Sequence, residues 1–144
     1  MKMSNSIVIR RPLEDVFAFM SNIEHEPQWR PNVMEVKVTS GLPLRQGSTY
    51  LYVVKMMNRQ MRTEGKITSF EPNRGWSFES VSGAIPLKGN VALEPAHEGT
   101  KVTLGGEVTL RGLLNLFAPL MRGMMGRRVN GDLQNLKKLM ESGR

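Results

Sequence analysis

Three groups of residues carry side chains whose types and spacing could do chemistry. Glu24-His25-Glu26, beside Pro27, sets an imidazole between two carboxylates, the makings of a weak metal site or an acid–base pair. Neighbours in a loop rarely converge on one ion without further ligands, so the simpler reading is a solvated loop. Tyr50 and Tyr52 fall two apart with Val54 and Met56, and Trp76, Phe78 and Ser80 repeat the pattern further on. The ringed sets are assigned inward because their alternates include Thr49, Lys55, Ser77 and Glu79. In a solid core the tyrosine hydroxyls would need internal partners, whereas in a wet pocket they would orient a polar ligand head. Asp132 lies near the apolar stripe of a C-terminal helix, where a buried carboxylate would have a raised pKa and serve as a polar contact or general base. Exposed aspartates are far commoner, so no catalytic residue is assigned. His97 falls in a predicted hairpin turn and is given no role.

Other chemistry is excluded by what is missing. The 144 residues include no cysteine, which removes disulfides, thiolate metal sites and thiol catalysis. There is no Gly-rich phosphate loop, no His-Glu-x-x-His and no Gly-x-Ser-x-Gly. No cofactor and no metal are expected. An apolar fraction of 40% argues against wholesale disorder, and the length suits one domain over residues 1–144. Ile7-Val8-Ile9 is too short for a signal peptide, and no stretch approaches the roughly 20 apolar residues of a membrane-spanning helix. The cytoplasm is the expected location.

The elements that must position these residues follow from periodicity. Residues 4–11 read as a strand, and Pro12 suits the first turn of a helix on which Leu13, Val16, Phe17 and Met20 share a face. Pro27 and Pro31 allow residues 21–31 at most one further helical turn. From residue 33 to 110 the period is two. Strands are predicted around Val36–Val38, Thr49–Met57, Met61–Glu71, Trp76–Val81, Leu87–Glu94 and Lys101–Leu110, with a strong turn at Pro72-Asn73-Arg74-Gly75. After Gly112, Leu114, Phe117, Met121, Met124/Met125, Val129, Leu133, Leu136 and Met140 trace one long helical stripe, which Pro119 should kink near 116–119. This is an α+β pattern in which the last helix must cover one face of an antiparallel sheet.

Several segments together resemble the START-like superfamily, also called the Bet v 1-like or polyketide cyclase/dehydrase group. They are Pro12–Met20 after the opening strand, His25–Val33, the Gly47-Ser48-Thr49-Tyr50 strand entry, the Phe70–Trp76 hairpin and Glu98–Thr103. The resemblance spans nearly the whole chain and implies a helix-grip fold, a curved antiparallel sheet wrapped around a long C-terminal helix. It further implies a cavity for a small hydrophobic or amphipathic molecule, to be bound or transferred; the alternative is a cyclase/dehydratase-like enzyme using the same pocket. The resemblance places a tryptophan near the sheet at Trp29, which packs in the core or walls the cavity. Met56, Met57 and Met61 flank one hairpin, and Met121, Met124 and Met125 form one helical patch. Each cluster is either core filling or a pliable wall at the pocket mouth. The candidate ligand-binding set is Trp29, Tyr50, Tyr52, Met56, Trp76, Phe78, Phe117, Met121, Met124 and Met125.

Net charge is +7 and unevenly placed. Arg111 to Arg144 hold seven basic and two acidic residues, a net of +5, which leaves +2 on residues 1–110. The basic helix therefore suggests anionic ligand heads or an anionic membrane surface near the cavity. No aromatic-interleaved basic surface or nucleic-acid module is present, so nucleic acid is not expected as a partner.

Overall fold

The computed structural model describes residues 2–56, 58–83, 86–109 and 112–142. Met57, Leu110, Arg111 and Arg144, named above, lie outside the described residues, as do the side chains of Met56 and Leu114.

Period-two alternation folds into strands β1 (Lys2–Ile9), β2 (Val33–Val38), β3 (Thr49–Met56), β4 (Arg59–Glu71), β5 (Gly75–Ser82), β6 (Leu87–Ala96) and β7 (Gly99–Val108). They make one curled antiparallel sheet in the order β1-β7-β6-β5-β4-β3-β2. Every neighbour is a sequence neighbour except β1, which crosses to pair with β7. A bulge between Val33 and Glu35 lets Val33 join Val36 and Val38 in the core, although strict alternation would turn it away. Arg74 N donates to Glu71 O at 3.0 Å in the β4–β5 turn, where Asn73 takes a φ of 60° that asparagine tolerates.

Helix α1 (Leu13–Ser21) starts after Pro12 and buries Val16, Phe17 and Met20 against the sheet. The Phe17 ring meets Phe70 at 5.7 Å and Trp76 at 5.9 Å, both edge-on. A six-residue 3-10 helix, Ile23–Gln28, follows with Pro27 inside it, longer than the single turn expected. A second 3-10 helix, Gly112–Phe117, leads into helix α2 (Ala118–Ser142). The break falls at the predicted place, and Pro119 sits in the first turn of α2, where its missing N–H costs no helical bond.

Only the C-terminal half of α2 enters the core, through Leu133, Leu136 and Met140. Leu116, Phe117, Leu120 and Met124 each expose more than half of their surface. The helical stripe read from the sequence is thus fully buried only in its C-terminal half. Periodicity marks a face but does not say where the partner surface ends. Polar bonds hold the buried half down: Lys137 Nζ donates to Val8 O and to Glu141 Oε2, both at 2.7 Å. Arg11 Nη1 donates to Met140 O at 2.7 Å. Ile9, Val16, Ile67, Val102, Leu133 and Leu136 form the deepest core, each contributing about 1.5–3 kcal/mol by burial.

Candidate functional site

Between sheet and helices lies a pocket of about 250 Å³. Its apolar wall includes Met20, Val54, Trp76, Phe78, Leu104 and Val129, contributed by α1, the sheet and α2. A larger depression of about 680 Å³ lies open on the sheet beside Lys2, Ser4, Ser77, Glu79, Lys88 and Glu107, and such a surface encloses little of any ligand.

Two aromatic residues reach into the pocket because glycines lie opposite them. Tyr50 pairs with Gly65 and Phe78 with Gly89 across the strands. A Cβ on Gly65 would collide with the Tyr50 hydroxyl, and one on Gly89 would lie 2.8 Å from Phe78 Cε2. Each ring thus rests on a neighbouring backbone that has no side chain. Tyr50 in turn packs edge-on against Tyr52 at 5.3 Å and Phe78 at 6.4 Å.

The polar end is built by the segment read above as a solvated loop. That reading is corrected: Glu26 is 7% exposed, and His25 is half-buried. His25 stacks on Phe19 at 4.7 Å, its Nδ1 lies 3.0 Å from Phe19 O, and its Nε2 lies 3.3 Å from Asn22 Nδ2. With Nδ1–H donating to the carbonyl and the Asn22 amide donating to Nε2, both ring nitrogens have local partners. Glu24 accepts a bond from Val38 N at 3.0 Å. The three side chains therefore hold the segment in place and do not converge on an ion.

Glu26 faces the pocket. Its Oε1 accepts from Arg30 Nη1 at 2.9 Å and its Oε2 from the Tyr52 hydroxyl. Arg30 Nε also donates to Asp132 Oδ2 at 3.2 Å, joining the 3-10 segment to α2. Asp132 is 5% exposed, so the inward placement considered for it is the one observed. Burial pushes its carboxyl above the usual aspartate value, while Arg30 and Arg128 pull it back. Burial also disfavours the Arg30 cation, but Glu26, Tyr52 and Asp132 outweigh it and leave the guanidinium more strongly protonated than usual. Both tyrosines are raised, first by burial and then by Glu26, so they stand as protonated donors.

Trp29 closes this end at 3% exposure, with the Arg30 guanidinium 5.7 Å above its ring and Asn135 Nδ2 donating to its carbonyl at 3.2 Å.

Of the ten candidate ligand-binding residues, the structure gathers Trp29, Tyr50, Tyr52, Trp76, Phe78 and Met125 around the pocket. Phe117, Met121 and Met124 are not brought there; Phe117, at the end of the second 3-10 helix, and Met124, in the first half of α2, are exposed. Of the helical methionine cluster, Met125 alone borders the pocket, while Met57 and the side chain of Met56 in the hairpin cluster lie outside the described residues. Arg30 was missed, and Glu26 was singled out only beside His25 and read as solvated. Their spacing of four, on a segment with helical character, was the available signal.

A curved antiparallel sheet closed by a C-terminal helix over a largely apolar pocket defines the helix-grip class. Residues 1–141 match the family described as polyketide cyclase/dehydrase and lipid transport, and the chain belongs to that family. No curated protein matches the chain in sequence. Among solved structures it is similar to a protein of Thermus thermophilus, with a TM-score of 0.82 at 19% identity over 100% of both chains. A START superfamily protein of Mycobacterium smegmatis superposes with a TM-score of 0.76 at 15% identity, over 98% of this chain and 97% of that one. The Zhui aromatase/cyclase of Streptomyces gives 0.75 at 12% identity, over 96% and 92%. At these identities the likeness is one of fold.

Proposed function

We propose that the protein binds or transfers a small hydrophobic or amphipathic molecule in the pocket between the sheet and α2. The observation that carries this reading is the pocket's composition, aromatic and aliphatic walls with a few polar groups gathered at one end. A volume of about 250 Å³ lies just below the roughly 300 Å³ lower bound of ordinary ligand pockets, which favours a compact ligand over a long acyl chain. The cyclase/dehydratase alternative needs an acid or base turned toward a substrate. Tyr52 and Arg30 both donate to Glu26, a clamp on its two oxygens that favours binding over proton transfer. The test is titration with the neutral fluorophore N-phenyl-1-naphthylamine, which should bind saturably. Val129→Trp, placed on the pocket wall, should weaken that binding by about tenfold or more while keeping a cooperative thermal transition, lowered by the overpacking. Saturable binding that this folded variant leaves unchanged, or no binding by the wild type, rejects the pocket as the site.

The exposed end of α2 supports an anionic membrane surface, reached from the cytoplasm, as a second partner. Leu116, Phe117, Leu120 and Met124 are exposed beside Arg122, Arg127 and Arg128, and residues 112–131 contain no acidic side chain. An apolar patch rimmed by arginines suits an interfacial helix, each cation adding about 1 kcal/mol near an anionic leaflet. Among the described residues no helix is long and apolar enough to cross a membrane. The protein should sediment with phosphatidylglycerol vesicles at low salt and be released as salt rises, and Leu120→Glu should abolish the binding. Equal binding to neutral phosphatidylcholine vesicles, or self-association that Leu120→Glu disrupts, counts against the membrane.

A further inference from the structure

The pocket's two tyrosines stand differently. The Tyr52 hydroxyl is committed to Glu26 Oε2, whereas the Tyr50 hydroxyl has no hydrogen-bond partner among the described residues. Tyr50 is only 5% exposed, so nearly all of it is withdrawn from bulk water. Its oxygen is nevertheless not sealed off. Among the described residues the one side-chain polar atom both buried and unpartnered is Trp29 Nε1, and Tyr50 lines the pocket. A hydroxyl that bonds nothing in the fold and keeps surface on a pocket wall is placed to bond what enters.

Strand register fixes where this hydroxyl sits. It lies over the backbone of Gly65, where a Cβ would collide with it. Gly65 pairs with Ser80 on the next strand, and Ser80 also lines the pocket. Ser80 Oγ accepts from Leu87 N at 2.9 Å, which leaves its own proton to donate. One row of the sheet, Tyr50–Gly65–Ser80, thus offers the pocket hydroxyl groups and no charge. Edge contacts with Tyr52 and Phe78 hold the Tyr50 ring in that row. The charges that act on its hydroxyl, Glu26 and Glu79, are both negative and keep it protonated. An anionic oxygen brought there would meet repulsion and a desolvation cost that a neutral carbonyl does not.

We infer that the pocket selects an uncharged carbonyl compound, whose oxygen accepts from the Tyr50 hydroxyl while the aromatic and aliphatic walls take the hydrocarbon body. This rests on the binding reading above and adds the chemistry of the ligand's polar end. No covalent step is involved.

Three naphthalenes of similar shape test the selection: 2-acetonaphthone, 2-ethylnaphthalene and 2-naphthoate. In the wild-type protein the ketone should bind about tenfold tighter than the hydrocarbon, and the carboxylate weakest at neutral pH. Tyr50→Phe keeps the ring and breaks no hydrogen bond of the fold. It should bring the ketone to within about twofold of the hydrocarbon, whose own affinity stays within about twofold of wild type. A merely structural Tyr50 would weaken both ligands alike. The chain has only two tyrosines, so ¹³Cζ-tyrosine labelling gives two resonances. The ketone should shift the Tyr50 resonance further than the hydrocarbon does. That resonance is assigned by its loss in Tyr50→Phe, or by its persistence in Tyr52→Phe should the first variant not fold. Equal wild-type affinities for ketone and hydrocarbon, a tightest-binding naphthoate, a ketone preference that survives Tyr50→Phe, or a Tyr50 resonance that responds equally to both overturns the inference while the pocket reading stands. Binding of none of the three overturns both.

Discussion

Arg30→Leu will destabilise the fold by about 3 kcal/mol at neutral pH, because it leaves two buried carboxylates without their cation. Removing one partner of a buried ion pair costs roughly 3–5 kcal/mol, mostly through the charge left behind. Here two charges are left, with the Glu26 and Asp132 side chains only 10% and 7% exposed. The Arg30 side chain is itself 30% exposed, so water can enter the vacated space, and the lower end of that range applies. The pH dependence follows in sign. Burial already holds Asp132 above its ordinary pKa, and Arg30 is the chief influence pulling it down. Without Arg30 the folded-state value rises further while the unfolded value stays put. A raised carboxyl stabilises the fold fully only below its unfolded pKa, and that stability is lost as pH climbs through the folded pKa. The deficit of the variant should therefore be small near pH 4 and grow toward neutrality, as read from urea midpoints at several pH values. Asp132→Asn in the Arg30→Leu background should recover part of the loss at pH 7. A deficit that does not change with pH would show that Arg30 acts through packing and not through charge.

The legible parts of the fold and those that were not differ in range along the chain. Alternation and turn residues are local, so the strands, the Pro72–Gly75 turn and the inward placing of Tyr50, Tyr52, Trp76 and Phe78 could be read directly. The break before Pro119 is local too. The clamp is not: Tyr52 meets Glu26 across 26 residues and Arg30 meets Asp132 across 102. Glu26 looked solvated because the chain does not announce that Tyr52 of β3 will reach it across the fold. The exposed half of α2 misled for the converse reason. Its apolar positions keep the helical period whether or not a sheet lies beneath them, and Leu120 and Met124 are exposed.

Gly65→Ala should damage the sheet and the pocket together, and it tests how the pocket is shaped. The new Cβ would collide with the Tyr50 ring and hydroxyl, and would lie 2.7 Å from the Glu79 backbone carbonyl. The ring can swing, but only toward the pocket or its neighbours Tyr52 and Phe78. The carbonyl belongs to the β4–β5 pairing and cannot move without straining it. Overpacking of this kind costs about 1–3 kcal/mol, and two simultaneous clashes place the expected loss at the upper end. A Tyr50 ring displaced inward also occupies ligand space, so N-phenyl-1-naphthylamine binding should fall by about tenfold or more. Gly123→Ala is the control, since a Cβ there meets nothing within 4 Å on the exposed end of α2. It should stabilise by about 1 kcal/mol, the ordinary preference of a helix for alanine over glycine. Adding Tyr50→Leu to Gly65→Ala separates the two clashes. Shortening the ring should restore part of the stability, and the part that does not return measures the strain at the Glu79 carbonyl. Should Gly65→Ala prove as harmless as Gly123→Ala, the glycine would not be what seats Tyr50, and the pocket's shape would have to come from the aromatic contacts alone.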